Sequence, residues 1–206
     1  MICQFVATLA ALYVCEMAPS KPTLLVAGSS FVKRLEKFQR VFWAKNLEVR
    51  GNFVQFLGLP GKGVEEVRRS VLKLSHERYR VVVLHVGNND LCRINQTPSV
   101  VAKDLLSLAE QLLSVGTRQV VICQLLHRAS TSHFDEGLTL TQYNDKVDDT
   151  NSLLENEIQN SANPGVRFWF HHYGVRGSSR LENDGIHLND QGMKNFRRSI
   201  IAALSA

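Results

Sequence analysis

Residues 80–86 have the sequence RVVVLHV and are followed directly by GNND at positions 87–90. The nearly continuous apolarity of the first stretch is typical of a central parallel strand that is buried on both faces. Four further apolar runs are predicted as strands, at residues 24–27, 49–57, 119–126 and 166–170. The sequence therefore predicts five strands, and residues 80–86 form the third of them.

Stretches with helical spacing follow each of these strands. The predicted helices cover residues 31–38, 64–79, 97–114 and 140–160, with a last helix capped by Asn189 or Asp190. Regular alternation of strand and helix predicts an α/β fold, a parallel sheet with helices on both faces. Ligands of such sheets bind outside the carboxyl ends of the strands, so residues that follow a strand become candidates for function.

The composition is that of an ordinary globular protein, with 206 residues, 44% of them hydrophobic and 21% charged. We expect one domain at residues 22–206, which is long enough for a full core. The formal net charge of +5 permits contact with nucleic acid but does not require it. Basic residues in 33–50 and 68–80 fall within helical patterns, which favours solvated helix faces.

Residues 1–21 are expected to be an N-terminal extension or docking helix, or else a weak signal peptide. The apolar run at 5–15 is too short to span a bilayer. It resembles the apolar part of a signal peptide, but no basic residue precedes Lys21. We expect no transmembrane segment and a cytoplasmic location, with secretion as the alternative.

The four cysteines are Cys3, Cys15, Cys92 and Cys123. They form no Cys-x-x-Cys pair, and no His/Cys cluster has the spacing of a zinc site. Cys123 lies inside an apolar run and is predicted to be a small buried hydrophobic residue. The cysteines are therefore interpreted as reduced and structural.

Three residues suggest nucleophilic catalysis. Asp184 and His187 are three residues apart, close enough for the carboxylate to orient the imidazole. Ser30 follows the first strand at a predicted helix N-terminus, where free N–H groups favour a developing oxyanion. Ser30 would be the nucleophile, His187 the base and Asp184 its partner. Taken singly, each residue also fits a structural role, such as a helix cap or a surface loop.

Two further positions could stabilise an oxyanion, together with the Ser30 N–H. Gly61 lies in GLPGKG at 58–63, after the second strand, where a glycine lets an N–H approach a carbonyl oxygen. Asn89 directly follows the third strand and could offer its side-chain N–H to the same oxygen. The structural alternatives are a plain loop for Gly61 and a turn motif for Asn89.

The ordered blocks GSS at 28–30, GLPG at 58–61, GNND at 87–90 and DGIH at 184–187 resemble the SGNH (GDSL-type) hydrolase family. The resemblance covers about residues 22–205. It implies a flavodoxin-like three-layer α/β/α sandwich around a parallel sheet of about five strands. It also implies a Ser-His-Asp triad, an oxyanion hole of Ser, Gly and Asn, and cleavage of esters, thioesters or acetylated sugars without metal.

The family's functional residues match this chain one by one. The nucleophile matches Ser30, the oxyanion-hole glycine and asparagine match Gly61 and Asn89, and the triad's Asp and His match Asp184 and His187. One position departs from the usual Gly-Asp-Ser of the first block, because Ser29 replaces the aspartate. The pattern also resembles SGNH-type domains of animal genomes, some of them associated with retroelements.

The function predicted from these residues is that of a metal-independent serine esterase, without cofactor, acting on a small-molecule, lipid or glycan ester. The alternative is a catalytically lapsed binding module on the same fold, tethered to nucleic acid; Ser29 and the basic charge favour it. A nucleotide-binding domain is disfavoured, because no Gly-x-Gly-x-x-Gly follows the first strand.

The remaining histidines are weaker candidates. His171 and His172 follow the fifth strand and could line a pocket. His127 and His133 accompany a polar loop at 128–137 that could act as a lid or substrate loop. His85 lies within the third strand and is interpreted as a core histidine with satisfied hydrogen bonds.

Overall fold

A computed structural model describes residues 23–42, 47, 49, 52–74, 79–172, 174–175 and 177–205. The predicted N-terminal segment 1–21 lies outside the described residues, as do Cys3 and Cys15.

Five parallel strands form one sheet in the described part of the chain. They are β1 (Leu24–Gly28), β2 (Val54–Gly58), β3 (Val81–His85), β4 (Gln119–Cys123) and β5 (Val166–Trp169). Their spatial order is β2-β1-β3-β4-β5, with every neighbouring pair parallel. This is the flavodoxin-like order, in which the direction of strand addition across the sheet reverses between β1 and β3. The apolar run at 80–86 is therefore the central strand, as predicted.

The part of the chain that the structure describes contains five α-helices, which pack on the two faces of this sheet. They are α1 (Ser30–Phe42), α2 (Val64–Lys73), α3 (Pro98–Ser114), α4 (Leu140–Asn160) and α5 (Asp190–Ser205). One apolar core joins α2, α3 and α4 to one face, and a second core joins α1 and α5 to the other. The predicted three-layer α/β/α architecture is confirmed.

The central strand shows why its sequence has no polar alternation. All five residues of β3 are buried, because Val82 and Leu84 pack into the first core while Val81 and Val83 pack into the second. Cys123 at the end of β4 is fully buried in the second core, as predicted. Burial also raises the pKa of its thiol, so this cysteine stays protonated.

Four predicted boundaries are wrong by three residues or more. The helix predicted at 31–38 continues to Phe42. The second strand begins at Val54 rather than 49, because Asn52 folds back on Val49 through a 2.8 Å backbone hydrogen bond. The helix predicted at 64–79 ends at Lys73, and Tyr79 is non-helical, with its buried ring hydrogen-bonded to Gln55.

The strand predicted at 119–126 ends at Cys123. The Asn151 side chain accepts from the N–H of Leu125 and donates to its C=O, at 2.8 and 3.1 Å. A side chain thus replaces the neighbouring strand as hydrogen-bond partner. The sequence stays apolar beyond the last residue that pairs with a neighbouring strand. The apolar run therefore predicts a strand that is too long.

The helix ends follow ordinary capping chemistry. Thr97 and Thr139 are N-caps of α3 and α4, with side chains that accept from the N–H three residues on. Asn189 does the same for α5 through a 2.9 Å bond from the Gly192 N–H, so Asn189 rather than Asp190 is the cap. Among the described residues, none of the helices combines the length and apolarity needed to cross a membrane.

Candidate active site

A cleft of about 400 Å³ opens at the carboxyl ends of the strands. Its walls include Ser30 after β1, Gly61 after β2 and Asn89 after β3. His187 reaches the same cleft from the loop before α5, although it lies 157 residues from Ser30 in the chain. The fold thus gathers residues from four separate loops at one edge of the sheet.

Ser30 is the first residue of α1 and sits on a tight strand-to-helix turn. Ser29 is buried, and its carbonyl accepts the Lys33 N–H, which makes it the N-cap. Gly28 has no room for a side chain, because a Cβ would lie 2.1 Å from the carbonyl oxygen of His85. The close approach of β1 to β3 therefore requires glycine just before the turn that presents Ser30.

Ser30, His187 and Asp184 form a continuous hydrogen-bonded chain. The His187 Nε2 lies 3.1 Å from Ser30 Oγ, and its Nδ1 lies 2.7 Å from Asp184 Oδ2. The second oxygen of Asp184 accepts the N–H groups of Ile186 and His187 at 2.8 and 2.9 Å. With Nδ1 as donor to the carboxylate, Nε2 is left to accept the hydroxyl proton.

Asp184 is a strong acid in this setting. Partial burial acts to raise its pKa, but hydrogen bonds from the His187 ring and from the backbone N–H of His187 and Ile186 prevail and lower it to about 2. Above about pH 4 this group is therefore a carboxylate. In that form it accepts a hydrogen bond from the imidazole and can orient the ring.

The loop that carries Asp184 and His187 is held at both ends. Leu181 and Leu188 form an antiparallel bridge across its base. Gly185 has a φ of 68°, and its carbonyl accepts the Ala129 N–H at 2.7 Å. A Cβ at Gly185 would approach Ser130 to 2.9 Å, so this glycine is needed both for its backbone angle and for close contact.

Gly61 lies in a turn whose hydrogen bond joins the Lys62 N–H to the Leu59 carbonyl at 3.2 Å. Pro60 and Gly61 occupy the two central positions, and the Gly61 φ of 73° fits a type II turn. A Cβ on Gly61 would meet nothing within 4 Å. Within the described part of the chain, its N–H makes no hydrogen bond and is available to a ligand.

Asn89 connects two loops at the floor of the cleft. Its Nδ2 donates to the Lys62 carbonyl at 3.0 Å, and its Oδ1 accepts from Arg128 Nη2 at 2.9 Å. The sequence pattern did not point to Arg128, which was included only in the polar loop 128–137. The sequence feature that could have identified Arg128 is its place directly after an apolar run, at the end of the sheet where ligands bind.

The neighbours of Asn89 have structural roles. The buried Asn88 donates to the Leu126 carbonyl and the Tyr143 hydroxyl, at 2.7 and 2.9 Å. The Asp90 carboxylate accepts the Val64 N–H at the start of α2. Burial raises the pKa of Asp90, although this hydrogen bond opposes the shift. The GNND block thus combines one candidate functional side chain with two that fasten the surrounding loops.

The surroundings of His85 and His171 differ in part from those expected. His85 is fully buried as predicted, but both its ring nitrogens are without a hydrogen-bond partner in the described structure, so its interpretation as satisfied is wrong. Burial lowers the pKa of His85 to about 4. His171 packs against His85 in the core, with Nδ1 3.0 Å from Ser199 Oγ, and does not line the cleft.

The loop after β4 contributes to the cleft through His133 and Asp135, together with Arg128. His133 has a φ of 71°, an uncommon angle for a residue with a side chain. His127 instead lies outside this cleft, where its ring nitrogen is 2.8 Å from Asp148 Oδ1. The interpretation of this loop as a lid stays a prediction.

Within the described ranges of the chain, one group of side chains has atoms close enough to hold a metal ion. Ligand atoms of Glu182, Asp184 and His187 lie within 4.8 Å of one another. Glu182 is already bonded through both oxygens to Arg34, each at 2.9 Å. Asp184 and His187 are bonded to each other. A metal would have to break these contacts, so the geometry suits proton transfer better than metal binding.

Several solved structures share this architecture at low sequence identity. A GDSL-like lipase from Bacteroides thetaiotaomicron has a TM-score of 0.73 and 15% identity, over 97% of this chain and 95% of that one. A carbohydrate esterase family 3 protein from Talaromyces cellulolyticus has a TM-score of 0.64 and 11% identity, over 89% and 96%. A mutant acetyl esterase with an acetate ion has a TM-score of 0.64 and 10% identity, over 89% and 96%.

No family model matches the sequence, and a comparison with curated proteins finds no match. The similarity is therefore one of fold: this chain has the α/β fold of the GDSL-type hydrolases.

Proposed function

We propose that this protein is a serine hydrolase that cleaves carboxylic esters without a metal ion. The observation that carries the proposal is the hydrogen-bonded chain from Ser30 through His187 to Asp184, at 3.1 and 2.7 Å. Nucleophile, base and orienting carboxylate are the three parts that nucleophilic acyl transfer requires. The names of the structural neighbours, lipase and acetyl esterase, agree with this chemistry.

In the proposed reaction, Ser30 Oγ attacks the ester carbonyl while His187 Nε2 takes the hydroxyl proton. The carbonyl oxygen becomes an oxyanion, which the N–H groups of Ser30, Gly61 and the Asn89 side chain stabilise. Collapse of this intermediate breaks the bond to the alcohol, which leaves with the proton from His187. Water then repeats the sequence on the acyl-enzyme and releases the acid and Ser30.

The cleft suits a short acyl group on a polar alcohol. Its volume of about 400 Å³ is modest, and charged or polar side chains at Arg93, Arg128, His133 and Asp135 line it. A long acyl chain needs a largely apolar pocket to hold it. We therefore propose acetyl-type esters of small molecules or glycans as substrates, in preference to long-chain lipids.

The replacement of the usual aspartate by Ser29 does not argue for a lapsed enzyme. Ser29 occupies the N-cap position of α1 through its backbone carbonyl, and both serine and aspartate are among the residues preferred in that position. The binding-module alternative then relies on the net charge of +5, which selects no particular partner.

The decisive experiment compares wild type with Ser30→Ala and Ser29→Ala, using a fluorophosphonate probe and p-nitrophenyl acetate. Wild type and Ser29→Ala should be labelled and should hydrolyse the ester. Ser30→Ala should lose labelling and about 10³-fold or more of its activity, as expected on removal of a triad member. EDTA should leave the wild-type rate unchanged.

Equal activity of wild type and Ser30→Ala would contradict the assignment of the nucleophile. Loss of activity in EDTA that zinc restores would contradict the metal-free mechanism. Hydrolysis of p-nitrophenyl palmitate faster than of the acetate would contradict the proposed substrate class.

A further inference from the structure

We propose that Arg128 is a positioning residue for the oxyanion contact, holding the Asn89 amide in its donating orientation and placing a positive charge behind it. The inference rests on the proposed esterase function, because it assigns Asn89 to the oxyanion hole. It adds a residue that neither the sequence motifs nor the triad geometry identified.

Arg128 is 6% exposed, which is rare for an arginine. Its Nη2 donates to Asn89 Oδ1 at 2.9 Å, and its Nη1 contacts Cys92 Sγ at 3.0 Å. The guanidinium carbon lies 5.2 Å from the centre of the Tyr143 ring and 5.9 Å from that of Phe134. Two aromatic faces and two fixed acceptors therefore hold the guanidinium in place.

Arg128 forms no ion pair with a carboxylate within the described part of the chain. Asp135 lines the same cleft, but its carboxylate accepts the Ile94 N–H at 3.0 Å and makes no ion pair with Arg128. A buried charge without a counter-ion is expensive, and such charges are normally paired. The negative charge that the proposed reaction creates nearby is the oxyanion, which would offset the cation only during turnover.

Hydrogen-bond chemistry settles which way the Asn89 amide faces. A guanidinium can only donate, so the atom that faces Arg128 must be the amide oxygen. A backbone carbonyl can only accept, so the atom that faces Lys62 must be the amide nitrogen. One N–H of Nδ2 is used by Lys62, and the second remains for a ligand. Without Arg128, an amide turned by 180° would present an acceptor to the oxyanion and repel it.

The charge of Arg128 adds to this orientation. A cation bonded to the amide oxygen draws electron density from the amide and makes its N–H a stronger donor. The planar fork of arginine reaches Cys92 Sγ and Asn89 Oδ1 together, whereas a lysine ammonium cannot match both directions with the same rigidity. Arg128→Lys therefore keeps the charge and most of the hydrocarbon while it loosens the orientation.

The test measures kcat and KM for p-nitrophenyl acetate in Arg128→Lys and Arg128→Met. We expect kcat to fall by about tenfold or more, within the roughly 10²–10³-fold limit set by loss of a whole oxyanion donor, with KM changed less than about threefold. Arg118→Met is the matched control, because Arg118 is an exposed arginine just before β4, at the end of the sheet opposite the cleft. Its kcat should stay within about twofold of wild type.

A double-mutant cycle separates positioning from general structural damage. Asn89→Ala alone should lower kcat by about 10²–10³-fold with little change in KM. In the Asn89→Ala background, Arg128→Lys should cost less than about a further twofold, because the group that it positions is gone. Multiplicative losses would overturn the inference.

Thermal unfolding gives a second readout that does not depend on activity. Asn89→Asp should melt at a higher temperature than Asn89→Ala, because the new carboxylate faces the buried guanidinium. An equal or lower melting temperature would show that Arg128 does not hold an unneutralised charge at this point, and would overturn the inference even if the Arg128 variants do not fold.

A charged substrate tests the competing role for the guanidinium. If Arg128 binds substrate, Arg128→Lys would raise KM for a p-nitrophenyl hemisuccinate and spare the neutral butyrate, and the positioning role would be wrong. Absence of wild-type esterase activity would contradict the proposed function itself. Wild-type activity with an unchanged Arg128→Lys variant would contradict only this inference.

Discussion

Two imidazoles contact the ring of Phe31, and they have opposite surroundings. His187 lies on the cleft side with its ring centre 6.0 Å from that of Phe31, and its side chain is 20% exposed. His85 lies on the core side at 5.0 Å and is 0% exposed. His187 bonds to Asp184 and Ser30, whereas the ring nitrogens of His85 bond to nothing in the described structure.

The difference shows which surroundings would suit a histidine to act as a general base, the role that we propose for His187. His187 has a carboxylate on one nitrogen, a hydroxyl on the other, and access to solvent through which protons can return. His85 faces the rings of Phe31, His171 and Phe196, and burial lowers its pKa to about 4. It is neutral at physiological pH but has no group with which to exchange a proton. The sequence predicts a core position for His85 and a catalytic role for His187, and the structure adds which groups face their ring nitrogens.

Replacing His187 should give the largest effect. Among the residues described, His187 is the group bonded to Ser30 Oγ, and His187→Ala removes it, so kcat/KM for p-nitrophenyl acetate should fall by about 10⁴-fold or more. The melting temperature should change little, because the side chain is partly exposed on a loop. A His187→Ala protein that retained wild-type activity would show that Ser30 is activated by another group.

Replacing Asp184 should give the next largest effect. Asp184→Asn presents an N–H to the imidazole Nδ1, so the ring takes the wrong tautomer and cannot accept the serine proton; kcat should fall by about 10³–10⁴-fold. The acid limb of the kcat/KM profile should also move to lower pH, because the imidazolium loses a neighbouring negative charge. The pKa of Asp184 is about 2, so the wild-type acid limb does not reflect this carboxylate.

Glu182→Gln is the matched control for this experiment. It removes a carboxylate two residues away, one that pairs with Arg34 on the exposed side of the loop. Its pH profile should remain close to that of wild type, since it does not touch the His187 ring. A profile unchanged in Asp184→Asn would mean that Asp184 is not the partner of His187.

Replacing His85 should affect stability and leave catalysis within a few-fold of wild type. The pKa of about 4 in the folded state lies below the value near 6.5 of a free histidine. Between these two values only the unfolded state binds the proton, so the free energy of unfolding falls as pH drops from about 6.5 to 4, by about 3 kcal/mol in total. His85→Leu should remove this part of the acid sensitivity.

Urea unfolding at pH 7 and pH 4.5 measures the effect. The loss of stability between the two pH values should be smaller in His85→Leu than in wild type, while the exposed His172 changed to Leu should behave as wild type. An unchanged loss in His85→Leu would show that His85 is not the buried titrating group. Loss of esterase activity in a folded His85→Leu protein would contradict the assignment of a purely structural role to His85.

The sequence predicted the layers of the fold because its signals are local. Apolar runs at 80–86 and 119–126 and the Thr-Pro start at 97–98 indicate strands and a helix without reference to the rest of the chain. The predicted boundaries were wrong where side chains distant in the sequence bind the backbone. The Asn151 side chain, for example, hydrogen-bonds to the backbone of Leu125, and β4 ends before that residue. Such contacts produce no periodic pattern in the sequence of either contacting segment, so the sequence does not reveal them.

The sequence by itself determined the strand–helix alternation, and hence that Ser30, Gly61, Asn89 and the Asp184–His187 turn belong to one edge of a parallel sheet. Only the tertiary structure decided that a 3.1 Å hydrogen bond spans the 157 residues between Ser30 and His187, and that Arg128 fixes Asn89. It also showed that the ring nitrogens of His85 have no hydrogen-bond partner among the described residues. Alternation follows from short-range periodicity, whereas a site depends on distances and solvent exposure that arise only when the loops are packed together.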